Sequence, residues 1–387
     1  MAIFSHPLFI AFVVSVLVIA AIPGICSYLI FVERKIAAWV QDRIGPNRVG
    51  PWGLFQPIAD GLKFLLKEQV VPNHVNKIIY FVAPAIAVMT TLLAFAVVPF
   101  GSTNTHNPDE FQWVVAPGVD IGILFIFAVS SLAVYAIILG GWSSNNKYSF
   151  LGALRSSAQV ISYEIPLGMS IIGVVLLTGS LNLEKIIEHQ AQGFFHWNIW
   201  YQPMAFLIFW LSALAETNRL PFDLPECEQE LIGGFHTEYS AMKFGMFFLG
   251  EYTHMITVSF LLAILFLGGW HFPGLTSLGP NTAGTVALKF IVLFGKMGLF
   301  ILAIMMIRWT LPRFRFDQLM GLAWKVLIPL ALVNLVAAMF VKHYGLSPWL
   351  LTVVNVGLFF VPAWWASGPI GSNRRPVPAA ANVAARV

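Results

Sequence analysis

PLFIAFVVSVLVIAAIPGICSYLIFV, residues 7–32, holds no charged side chain and stops at Glu33, Arg34 and Lys35. A bilayer's hydrocarbon core is about 30 Å thick, and about 20 apolar residues as helix cross it. The stretch is long enough to cross and too long for a signal-peptide core, and no Lys or Arg precedes it. It reads as a retained span. Eight further stretches approach that length: 78–100, 121–142, 158–177, 199–215, 244–270, 286–307, 322–341 and 348–366. The fifth and ninth are the shortest. None alternates as a barrel strand does, and lipid offers no partner to an open backbone, so all are expected to be helices. The expected fold is all-α, a polytopic transmembrane bundle of eight to nine spans.

Composition agrees. Hydrophobic residues make up 58% of the 387-residue chain and charged ones 10%, against roughly 25% charged in a soluble domain. The net charge of +4 is too diffuse for a nucleic-acid footprint. Cys26 and Cys227 cannot supply the four thiolates of an iron–sulfur cluster. The histidines form no HExxH pair, and no Gly-rich phosphate loop appears. No metal site and no catalytic residue is expected in the chain itself. A redox centre must diffuse to it or belong to a partner.

Basic residues orient the spans. With the N-terminus outside, the inside segments collect eighteen of the twenty-two Lys and Arg residues, from Arg34 and Lys35 to Arg374 and Arg375. Lys185 and Lys342 fall outside, and Lys289 and Lys296 lie within the seventh span. The positive-inside rule therefore puts the N-terminus outside and, with nine spans, the C-terminus inside. No internal repeat is visible, which weakens a carrier built from inverted repeats.

The inside loops are unusual. Gly45, Pro46, Gly50, Pro51 and Gly53 punctuate the first. After them Leu54, Phe55, Ile58, Leu62, Leu65 and Leu66 recur at helical spacing opposite Asp60, Lys63 and Lys67. This is the pattern of an amphipathic helix lying in the interface, and a plain surface anchor would show it too. In AETNRLPFDLPECEQE, residues 215–230, five of sixteen residues are carboxylates, in a chain with eighteen. Pro221 and Pro225 prevent one regular helix there. Glu226, Glu228 and Glu230 share a face if extended, and Glu226 and Glu230 stack if helical. Either way, ionisation of one opposes ionisation of the next. A solvated acidic loop is the plain alternative, but apolar Leu224, Leu231, Ile232 and Phe235 flank these acids. Within the spans, Glu164 and Glu251 are ionisable groups that cost at least a few kcal/mol there and so mark function. A wet helix end is the alternative for both. Tyr163 reads as packing, His254 as a core histidine, and Lys296 as a cation paired with a structural acid.

Three inside segments carry a resemblance: ERKIAAWVQDRIGPNRVGPWGLFQPIADGLK, AETNRLPFDLPECEQELIGGFHTEYSAMKFGMFFLGEY and RWTLPRFRFDQLM. They resemble the H-type membrane subunits of the proton-translocating NADH–quinone oxidoreductases, respiratory complex I. The resemblance extends from about residue 6 to residue 345. It implies a membrane domain over 1–345, leaving an extra C-terminal span at 346–368 and a flexible cytoplasmic tail at 369–387. It also implies a place at the joint between membrane and hydrophilic arms, in a bacterial inner membrane, with a periplasmic N-terminus.

By the resemblance, Arg34, Arg43, Asp60, Glu226, Glu228 and Glu230 form the quinone entrance and chamber. Glu216, Glu251 and Glu164 relay protons from it, and Arg219, Arg313 and Arg315 position the acidic loop. The substrate implied is a quinone such as ubiquinone. No cofactor is bound by this chain, while flavin mononucleotide and iron–sulfur clusters sit in partner subunits. Those partners are the quinone-site and terminal-cluster hydrophilic subunits, and the small and antiporter-like membrane subunits, with membrane lipid around and no nucleic acid. The membrane subunit of an energy-converting hydrogenase or formate hydrogenlyase is the alternative. The full AETNRLPFD and GPNRVGP loops favour the quinone enzyme.

Overall fold

The computed structural model describes residues 7–100, 115–116, 119–223, 233–276 and 283–367, with side chains from residue 12 to residue 360 of these. The described residues are helices and loops without a strand. Among the described residues, seven helices are long and apolar enough to cross a membrane. They are α1 (Pro7–Val40), α3 (Lys77–Leu93), α4 (Gly122–Ser143), α5 (Lys147–Thr178), α9 (Ala241–Phe266), α10 (Ala283–Thr310) and the run Phe316–His343. That last run is α11 (Phe316–Leu322), a π-helical turn at Ala323–Leu327, and α12 (Ile328–His343). Two further apolar helices are α8 (Pro203–Glu216), of 14 residues, and α13 (Trp349–Ser367), of 19, the latter at the expected extra span. The chain is a multi-pass membrane protein. The tail 369–387 lies outside the described residues.

α5 shows how the sequence sets boundaries. Asn146 accepts a hydrogen bond from the amide of Tyr148 at its start, and Gly179 (φ +75°) closes it in the left-handed conformation. At 1.5 Å per residue it is about 48 Å long, more than a bilayer core. The apolar reading over 158–177 missed its first turns, which carry Lys147 and Arg155.

α9 is the axis, with most of its side chains buried. It packs against α3, α10, α1 and α8. Outward faces are apolar and open: Phe12, Leu17, Ile291, Leu299 and Val353 are all exposed. Such residues face lipid, where apolar exposure carries no penalty.

The long loops meet at one end. Asn76 donates its amide to the carbonyl of Ser143 and Phe314 donates to that of Pro221, while Ser240 joins Val70. Here α2 (Gln56–Leu66) leans on α1 and α9 but turns its apolar side outward, with Ile58, Leu65 and Leu66 exposed. At the other end lie α6 (Leu183–Gln190) and the single turn α7 (Asn198–Tyr201). Lys296 of α10 reaches that end without meeting an acid among the described residues. It donates to the carbonyls of Leu267, Gly269 and His271 at 2.5, 2.9 and 2.7 Å, with the Trp197 ring 4.5 Å from its Nζ. These carbonyls belong to the segment that follows α9, so backbone oxygens of a loop do the work expected of a carboxylate.

Candidate functional site

Glu33 ends the first apolar run and is 5% exposed. Both of its oxygens accept from Arg219 Nη1, at 2.9 and 3.1 Å. The Tyr252 hydroxyl donates to it at 2.6 Å, and Arg308 donates as well. Its partners come from the segment after α8, from α9 and from α10, so one carboxylate ties them to α1. Helical phase explains why Glu33 turns inward while Arg34, about 100° further round, does not. Arg34 bonds Asp60 of α2 at 2.7 Å, and Gln56 donates to the same carboxylate at 3.1 Å. Thus Arg34 and Asp60 meet, fastening the interfacial helix to the bundle. Arg43 stays apart, exposed and bonded only locally, to Gln41 at 2.8 Å.

Arg219 connects this cluster to a second one. Burial opposes its charge, but Tyr252, Glu33 and Glu251 outweigh it and hold the guanidinium above its ordinary value. Its plane lies 4.3 Å from the Tyr252 ring. Glu251, Glu216, His254, Asn218 and Thr91 all line one cavity of about 60 Å³. His254 Nε2 is 3.2 Å from Glu216 Oε1. Glu164 accepts from Ser131 and interacts electrostatically with Glu216 and His254. The three acids singled out in sequence, from α5, α8 and α9, are therefore neighbours. Together with buried Arg219 and Glu33, these half-buried acids form one line of charge.

Glu226, Glu228 and Glu230 lie outside the described residues, but both stems of their loop are described. On one side Gln159 of α5 donates to the carbonyls of Ala215 and Phe222, at 2.9 and 2.8 Å. Arg313 bonds Asp223 at 3.1 Å, and Phe314 stacks on Phe222 with centroids 5.6 Å apart. On the other side Gly152 of α5 meets the backbone of Gly234 so closely that a Cβ would come within 2.8 Å. Arg313 thus ties Asp223 of the stem, while Arg315 pairs with Asp317 at 4.0 Å, both side chains being exposed.

Sequence reading passed over Glu33 and Tyr252 as partners of Arg219, and Arg308 as a second partner of Glu33. The signal available was position, since Glu33 and Arg308 are charges at the ends of apolar runs. Tyr163 is more than packing, because its hydroxyl donates to the carbonyl of Leu319 at 2.9 Å. No cluster of metal-ligating side chains occurs among the described residues.

The NADH dehydrogenase family model matches residues 12–339. One of the H subunits of NADH-quinone oxidoreductase from Koribacter versatilis, its number 2, is 49% identical over 346 residues, 86% of this chain and 97% of the relative. The number 1 H subunit of the same oxidoreductase from Cytophaga hutchinsonii is 48% identical over 312 residues, 81% of this chain and 90% of the relative. NADH-quinone oxidoreductase subunit 8 of Rhodothermus marinus is 46% identical, covering 85% and 96% respectively.

Proposed function

The chain belongs to the family of NADH-quinone oxidoreductase H subunits, and from that membership we propose that it forms the entrance and part of the chamber for quinone and starts the proton path that quinone reduction drives. The observation that carries this reading is the convergence of Glu216, Glu251 and Glu164, from three helices: the first two line one cavity, Glu164 interacts with Glu216, and Arg219 joins Glu251 to Glu33. Ionisable groups within spans mark proton and ion paths. A quinone gains negative charge on reduction, and a change of charge beside the acidic loop shifts the protonation of every coupled acid behind it.

In this reading Arg34 and Asp60 fix the interfacial helix as one wall of the entrance, with Arg43 at its rim. Glu226, Glu228 and Glu230 face the quinone headgroup, with Arg219 and Arg313 holding the loop stem and Arg315 exposed toward the hydrophilic arm. Glu216, Glu251 and Glu164 carry the response into the membrane. The chain binds no cofactor. Flavin mononucleotide and the iron–sulfur clusters belong to hydrophilic partners that cover Phe55, Leu62 and Phe314, and the small and antiporter-like membrane subunits take up the path beyond Glu164. The membrane is the bacterial inner membrane, with the N-terminus periplasmic and the loop-rich end cytoplasmic. The hydrogenase alternative loses ground because the relatives are named as quinone oxidoreductase subunits.

The test is Glu216→Gln in the assembled complex, read as protons moved per NADH oxidised in reconstituted vesicles. Loss of pumping with assembly intact supports the path. Full pumping by Glu216→Gln and by the Glu164→Gln, Glu251→Gln double variant refutes it.

A further inference from the structure

His254 lies one helical turn after Glu251, so both side chains leave the same face of α9. That face lines the cavity of about 60 Å³ described above. A polar site needs roughly 10–15 Å³ of such space per water, so a few waters fit. The imidazole is 14% exposed, with Nε2 3.2 Å from Glu216 Oε1. It is also close enough to Glu164 to interact electrostatically, although Glu164 belongs to another helix and bonds Ser131 on a further one. Arg219 interacts with Glu251, and His254 is the basic side chain placed beside Glu216 and Glu164. α3 contributes Ala87 and Thr91 to the cavity, and α4 contributes Ala133, Ala136 and Ile137, none of them titratable. The segment after α8 adds Thr217 and Asn218. The titratable groups facing the ring are Glu216, Glu251 and Glu164.

A chain of carboxylates alone has a physical difficulty. Neighbouring negative charges resist simultaneous ionisation, so a proton tends to stay on one acid. An imidazole between them relieves this, because its cation is stabilised by the carboxylate that has just given up a proton. It is also the side chain whose ordinary titration falls between pH 5 and 8.

We propose that His254 is a proton-carrying member of this path, taking a proton from Glu216 and delivering it to Glu164. In the forward step a protonated Glu216 and a neutral imidazole become a carboxylate and an imidazolium. The imidazolium then gives one proton to the Glu164 carboxylate and returns to the neutral ring. One proton moves, no electron is transferred and no co-reactant is needed. The direction reverses with the charge at the quinone end. The proposal rests on the relay reading of the preceding section and adds to it a residue that is not a carboxylate.

The experiment uses the whole complex in membranes carrying His254→Gln, His254→Phe or Glu216→Gln. Assembly, NADH–quinone turnover, protons per NADH and the pH profile of turnover are measured for each. His254→Gln keeps a hydrogen-bonding group but cannot carry a proton. It is expected to assemble fully, to lose about a hundredfold or more in coupled turnover, the range of a positioned acid–base group, and to change the pH profile of turnover. His254→Phe is expected to show the same loss. If it fails to assemble, His254→Gln alone decides. His254→Gln with wild-type turnover, stoichiometry and pH profile overturns the proposal. If Glu216→Gln then still loses pumping, the carboxylate path stands without His254. If Glu216→Gln also pumps normally, the relay reading itself has failed.

Discussion

Glu33→Gln is the most severe single change the structure predicts. The carboxylate is buried and faces two guanidiniums and a phenol. The side chain of Arg219 is 10% exposed, so removing its counter-charge leaves a cation with little water to turn to. Breaking a buried pair in this way costs about 3–5 kcal/mol, because the remaining charge is uncompensated. Arg308 adds less, its side chain being 35% exposed. Tyr252→Phe removes one hydrogen bond to a charged acceptor, worth about 1.5–3 kcal/mol, and leaves both arginines paired. Arg34→Ala breaks a pair whose arginine side chain is 47% exposed and should cost about 1 kcal/mol at most. The expected order is therefore Glu33→Gln, then Tyr252→Phe, then Arg34→Ala. Thermal inactivation of the detergent-extracted complex measures it, alongside the amount assembled in membranes. NADH–quinone turnover per assembled complex should fall in Glu33→Gln as well, since Arg219 links Glu33 to Glu251. If Glu33→Gln is no more labile than Arg34→Ala, the cluster is not a buried tie and the energetic argument fails.

Burial, and then the charge of Glu188, push the carboxyl of Glu184 in α6 up to about 8 from an ordinary 4.5. Between those values the folded protein holds a proton that the unfolded chain releases, so stability falls as pH rises through about 4.5 to 8 and levels off above. Glu184→Gln should flatten the melting-temperature profile across that window, and an unchanged slope counts against it. Lys296→Met leaves the carbonyls of Leu267, Gly269 and His271 without their donor. At about 1–3 kcal/mol for a buried unsatisfied group, the melting temperature should fall clearly, and an equal melting temperature shows water replacing the ammonium. Gly152→Ala drives a methyl into the Gly234 backbone, so quinone turnover should drop with assembly largely kept. Wild-type turnover would mean that the stem yields freely.

The membrane bundle was legible because lipid allows few solutions. A run such as 7–32 admits little but a helix, and uninterrupted apolar length locates the spans. Length misled where helix and hydrocarbon part company. α5 begins at Lys147, well before its apolar part, because backbone hydrogen bonding and the Asn146 cap, not hydrophobicity, decide where a helix starts. The relay acids were legible for a related reason. Glu164 and Glu251 are rare charges within apolar runs, and rarity is a signal a single sequence displays. What the sequence hides is phase and partnership. Glu33 and Arg34 are adjacent and of opposite charge, yet one is the buried tie of four elements and the other a half-exposed fastening for α2. Nothing local separates them; the approach of α9 and α10 to one side of α1 does. His254 is hidden in the same way, since its significance is Glu216, which lies 38 residues earlier and reaches it only through the packing of α8 against α9. Lys296 shows the converse: a lone buried cation suggests an acid, but its partners are three backbone carbonyls of the loop after α9. Charges in such a bundle are therefore found from sequence and paired only by structure. The proposed proton path depends on the pairing, because a carboxylate passes on a proton only to the group the fold sets beside it.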